Sequence, residues 1–155
     1  MHKQGKSWGL WLVPAIGGLA ILSGAYAELM RRPTNAQEEF RIALQELRSE
    51  LEEAGLLARH ARNGDPLRNF VAGHAHQLEK HLRATVDGVR TKGSDAGQKQ
   101  TSEAAARRGE EALAALQRLQ AEPANAASLD DVASTMERES KAISGFVTAL
   151  PPRSP

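Results

Sequence analysis

An uncharged stretch opens the chain, and a repeating amphipathic pattern follows it. Residues 7–27, SWGLWLVPAIGGLAILSGAYA, carry no charged side chain. Beyond residue 33, apolar positions recur at spacings of three and four, as on a helix with one buried face. The first such segment spans 35–62. Phe40, Leu44, Leu47, Leu51, Ala54, Ala58 and Ala61 form a seam of period 3.5. Thr34 with Gln37 fits a capping box before it, and Asn63-Gly64 closes it, glycine being able to take the left-handed cap conformation.

The second segment spans 66–90. Asp65 suits the cap and Pro66 the first helical position. Val71, Ala75, Leu78, Leu82, Val86 and Val89 share one face, and Glu79 stands four residues before Arg83, the favourable order for an ion pair. Residues 91–97, TKGSDAG, read as a loop. The third helix, 98–121, has Ala105, Gly109, Ala112, Leu116 and Leu119 on its seam, small enough for close helix approach. Residues 122–127, EPANAA, break it. The fourth spans 129–150, with a capping-box-like start at Ser128 and Asp131. Its face holds Leu129, Val132, Met136, Ile143, Phe146, Val147 and Leu150. Glu137 and Lys141 are spaced to pair on its surface. Pro151-Pro152 stops it, leaving 151–155 as a frayed, disordered tail.

No run alternates as a strand would. The predicted class is all-α. An N-terminal single transmembrane (or signal) helix in 1–32 precedes an antiparallel four-helix bundle over 33–150. The alternative packing is two helical hairpins that complete their core by dimerising, which the strict seam of the first helix keeps open. The sequence shows no internal repeat.

The first segment admits three readings. Its 21 uncharged residues suffice to cross about 30 Å of hydrocarbon. Trp8 and Trp11 lie near one end and Tyr26 near the other, as an interfacial belt requires, and Arg31 and Arg32 follow as a stop. The same stretch, with Lys3 and Lys6 before it and Ala25-Tyr26-Ala27 at its end, fits a cleaved signal peptide. A buried helix of a soluble protein is the third reading, disfavoured by the uniform apolarity. The retained anchor is the favoured reading. The short basic N-terminus then favours N-terminus inside and the helical domain on the outer, periplasmic face. Secretion after cleavage is the alternative.

Charge narrows the partners. The chain has 20 Lys+Arg and 19 Asp+Glu, and without residues 1–27 the balance is 18 against 19, or −1. With no basic excess to neutralise phosphates, nucleic-acid binding is disfavoured. There is no cysteine. Disulfides, thiolate sites, a Cys nucleophile and a lipid-modified cysteine are therefore excluded, so any tether must be the peptide itself.

The histidines are the only metal candidates. His60, His74 and His81 are named for that role. His74 and His81 lie on one face of a helix but about 10.5 Å apart along it, too far to share one zinc. No histidine pair has i,i+4 spacing, so ligands would have to come from another helix. Met136 opposite a histidine would suit haem, although a Met on an apolar face usually packs. The Glu-x-x-His motif of di-iron bundles is absent. So are the Gly-x-Ser-x-Gly elbow and the phosphate loop. No catalytic residue and no cofactor is assigned, and the chain is not expected to be an enzyme.

Three functions remain at this point. The first is a membrane-anchored interaction or scaffold protein, an accessory subunit of a membrane complex. Its partners would be the lipid bilayer and membrane or periplasmic proteins, with a homodimer open. The second is a ligand-binding or sensory bundle. The layout resembles bacterial chemoreceptor ectodomains in architecture alone, without a shared motif and without a second membrane span. The third is a metal or haem binder using the histidines.

Overall fold

The structure, a computed structural model, describes residues 36–64 and 68–151. They form four helices: α1 (Ala36–Arg62), α2 (Arg68–Lys92), α3 (Lys99–Ala121) and α4 (Ala126–Ala149). No strand occurs among the described residues. Residues 1–35, and with them Trp8, Trp11, Tyr26, Arg31, Arg32 and Thr34, lie outside the description, as do Asp65 and Pro66. No described helix is long and apolar enough to cross a membrane.

Neighbouring helices run antiparallel, and cross-helix bonds fix the register. Arg62 reaches Asp130 at 3.1 Å and the Ser140 hydroxyl donates to Glu52 at 3.2 Å, while Gln37 and Arg41 donate to the Pro151 carbonyl. As α1 is followed forwards, α4 is followed backwards. The same reversal relates α2 to α3 through Arg90–Glu110 and Glu79–Gln117, and α3 to α4 through Arg108–Glu139 and Arg118–Asp131. Glu53–His74 and Glu50–Thr85 tie α1 to α2. The result is an up-down four-helix bundle closed by the packing of α1 on α4.

The core is complete within one chain. Phe40, Leu44, Leu47, Leu51, Ala54 and Ala58 of the α1 seam are all at 0% exposure. They meet the predicted faces of α2, α3 and α4 in one apolar cluster. Covering such surface contributes about 25 cal/mol per Å². The hairpin alternative, which leaves the core open until a second copy arrives, gives way to this arrangement. Small residues on α3 let the helices close: a Cβ on Gly109 would stand 2.3 Å from a Val86 methyl and 3.5 Å from Leu47. Gly64 takes φ +83 after the last turn of α1, where its N–H bonds the Ala61 carbonyl.

Helix ends depart from expectation in two places. α2 runs on through Thr91 and Lys92, and the Thr91 hydroxyl donates back to the Asp87 carbonyl inside the helix. α4 begins at Ala126, three residues early. Asn125, not Ser128, is its cap: the side-chain oxygen accepts from the Ala127 and Ser128 amides at 3.1 and 3.3 Å. The Ser128 hydroxyl is left buried without a partner. At the head of α1 the Gln37 side-chain amide donates to the Pro151 carbonyl at 3.1 Å, and the capping box expected with Thr34 lies outside the described residues. Glu137 and Lys141 form no ion pair and instead face a groove.

Candidate functional site

A groove of about 630 Å³ lies between α1 and α4. Its α1 wall is a stripe at helical spacing: Arg48, Glu52, Gly55 and Arg59. Met136 lies on the floor, and Glu137 and Lys141 stand on the α4 wall. Gly55 permits the close approach, because a Cβ there would be 3.3 Å from the Met136 Cβ. Met136 is thereby buried as packing, and its thioether has no open side for a haem.

Within the groove the charges are partly spent. Glu52 accepts from Arg48 at 2.7 Å and from the Ser140 hydroxyl at 3.2 Å. Arg59, Lys141 and Glu137 have no hydrogen-bond or ion-pair partner among the described residues and can meet a ligand. Ser140 has a carboxylate beside it but no histidine, so the pair is not an activated nucleophile of the Ser–His kind. The groove can recognise charge, and its residues make no catalytic constellation.

The predicted histidines do not converge. His60 is exposed in the last turn of α1 and His81 is exposed on α2. His74 is half-buried with its ring stacked on Phe70, centroids 5.7 Å apart and planes 6° apart, and its Nε2 is 3.1 Å from Glu53. Among the described residues no group of three His, Asp or Glu side chains is placed to hold a metal ion. The i,i+4 spacing of Phe70 and His74 was visible in the sequence and signals an aromatic stack.

Three carboxylates carry the electrostatics, two of them unmarked by the sequence reading. Glu139 lies at 0% exposure on α4, held by Arg108 at 3.2 Å and Arg138 at 2.7 Å. The signal for it was spacing, since Val132, Met136, Glu139 and Ile143 continue the 4,3,4 rhythm across the gap. Glu50 is half-buried against α2. Burial pushes its carboxyl above the usual range, against the hydrogen bond from Thr85 at 2.9 Å; Glu46 and Glu53 add to the rise and His81 opposes it. Its second oxygen is buried without a partner. Glu79 is the opposite case. Bonds from Gln120, Gln117 and Arg83 hold its carboxyl down at about 2.

No family model, no curated protein and no solved structure matches this chain.

Proposed function

We propose that the protein is a membrane-anchored helical interaction or scaffold protein, an accessory subunit of a membrane complex, with its bundle on the outer face. One observation carries the reading: an uncharged 21-residue run, with aromatic residues near both ends and an arginine pair behind it, leads directly into the bundle. A tether of this kind holds the bundle's surface close to membrane neighbours. Support also comes from the groove and the exposed side chains of α1 and α2, which offer charge and apolar surface to a partner.

Mass analysis of the N-terminus combined with membrane fractionation tests it. Retention of residues 1–27 in the membrane fraction is expected, and deletion of 1–32 should release a soluble, folded bundle. A mature chain starting after Ala27 would replace the anchor with a signal peptide. A truncated chain that stays membrane-bound would remove the basis of the proposal.

A ligand-binding bundle is the second reading, favoured by the α1–α4 groove with its unpaired Arg59 and Lys141. A thermal-shift screen against small anions tests it: a shift abolished by Arg59→Ala supports it, and no shift with any anion counts against it.

A further inference from the structure

We propose that the groove between α1 and α4 binds a small anionic zwitterion, an ammonium carried beside two negative charges, as in an acidic amino acid or an aminoalkyl phosphate. The inference rests on the ligand-binding reading above and names the ligand class of that same groove.

The register of the two helices sets the geometry. Glu52 bonds Ser140 and Arg62 bonds Asp130. Glu52 and Arg62 are as far apart on α1 as Ser140 and Asp130 are on α4, so the antiparallel helices keep step between those bonds. Counted in step, Gly55 comes level with Glu137, and Leu51, about one turn away, comes level with Lys141. Arg59 reaches the same level as Gly55 although it starts one turn beyond. Side chains on a helix lean towards its N-terminus, and position 55 has no side chain to block the way. A Cβ on Gly55 would stand 3.5 Å from one guanidinium nitrogen of Arg59 and 4.0 Å from the other. A cation on the α1 wall and a carboxylate on the α4 wall therefore flank one stretch of the groove, and the two form no ion pair.

The remaining charges of the groove are spent. Glu52 is neutralised by Arg48 at 2.7 Å and receives the Ser140 hydroxyl. What is left free is two cations, Arg59 and Lys141, and one carboxylate, Glu137. Glu137 and Lys141 have the spacing of a surface ion pair and stand apart. Such a pair is weak when exposed, so a ligand group can replace it at small cost. A bound anion alone would leave Glu137 facing a second negative charge. A ligand with two negative charges and one ammonium complements all three free groups.

The floor makes this a binding surface rather than a solvated face. Leu51, Gly55 and Met136 are buried beneath the free charges. An apolar floor with a few polar groups converging above it is the usual make-up of a small-molecule site.

Isothermal titration calorimetry on the full chain in mild detergent at low salt tests this. Glutamate is compared with glutarate, and phosphoethanolamine with ethyl phosphate, the second compound of each pair lacking only the ammonium. At least one zwitterion is expected to bind about tenfold or more tighter than its counterpart. Glu137→Gln should erase that preference and bind the counterpart at least as well as before. Arg59→Ala should weaken both by about tenfold. Both side chains are exposed, so circular dichroism should be unchanged in either variant. The pair that shows the preference tells an amino acid from an aminoalkyl phosphate. Equal affinity within both pairs, or a preference that survives Glu137→Gln, would overturn the proposal and keep the anion-binding reading. Binding unmoved by Arg59→Ala would place the ligand outside this groove and overturn it as well. Binding of none of the four compounds would reject both.

Discussion

α1 and α4 lie side by side along the whole bundle and solve the same packing problem differently. The seam of α1 is apolar throughout, from Phe40 to Ala58. The seam of α4 carries Glu139 in its middle, as buried as any leucine, between Met136 and Ile143. The difference lies in the neighbours. The α1 seam meets only apolar side chains of the other helices in the core cluster. Glu139 faces α3, from which Arg108 extends a guanidinium while its side chain stays 41% exposed, and Arg138 folds back from the next position. A seam position tolerates charge when long cations can neutralise it and still touch water.

The largest effects belong to the apolar seam. Phe40→Ala should destabilise the bundle by about 3–5 kcal/mol, because the phenyl ring is fully buried and its removal leaves a cavity in the core. Urea denaturation followed by circular dichroism measures it. A loss under about 1 kcal/mol would mean that the α1 seam is not the core of the bundle.

Next come the two ways of disturbing Glu139. Arg108→Ala leaves a buried carboxylate with one cation fewer and should cost about 1–3 kcal/mol. Glu139→Met removes the buried charge, fills a similar volume and leaves two arginines that already reach solvent. Its effect should stay within about 1 kcal/mol or be stabilising. The same denaturation experiment ranks them, and the comparison of seams fails if Glu139→Met proves the costlier change.

The start of α4 gives a smaller contrast. Asn125→Ala removes the oxygen that accepts from two helix amides and should cost about 1 kcal/mol. Ser128→Ala removes a hydroxyl with no partner and should cost nothing or stabilise slightly. A larger loss from Ser128→Ala would return the cap to the position that the sequence pattern favours.

What the sequence made legible was whatever a single helix determines. The α1 seam could be read because leucine and alanine at 3.5 spacing leave one solution, and Gly64 and Pro151 mark ends that backbone chemistry imposes. What escaped depends on a second helix. Glu139 looks like a surface acid until Arg108, 31 residues earlier, is placed beside it. Glu52 and Ser140 meet across 88 residues, so no local motif announces the groove. By sequence His74 is a metal-ligand candidate, yet its neighbours are a phenyl ring one turn back and a carboxylate on α1. Ala126 and Ala127 read as part of a linker, although alanine is a strong helix former and Asn125 before them was the better cap.

The smallest effect tests the carboxylate that α1 does carry. Glu50 sits beside the apolar seam, bonded only by Thr85 and with one oxygen unpartnered, where Glu139 has two arginines. Its carboxyl is raised in the folded chain, chiefly by burial, while the unfolded chain returns it to the ordinary range near 4.5. A raised pKa means that the protonated form fits the fold better. The associated stability is present below pH 4.5 and is lost as pH rises through the folded value. Glu50→Gln keeps an acceptor for Thr85 and removes the charge at every pH. It should therefore stabilise the bundle at pH 7, with a gain that fades as the solution is acidified below the ordinary carboxyl range. Thermal melts of the two chains across that pH span measure the difference. Because the side chain is only half-buried, solvent screens the gain and keeps it the least of the four. A gain independent of pH, or a loss at pH 7, would mean that the ionised carboxylate is held by something other than Thr85.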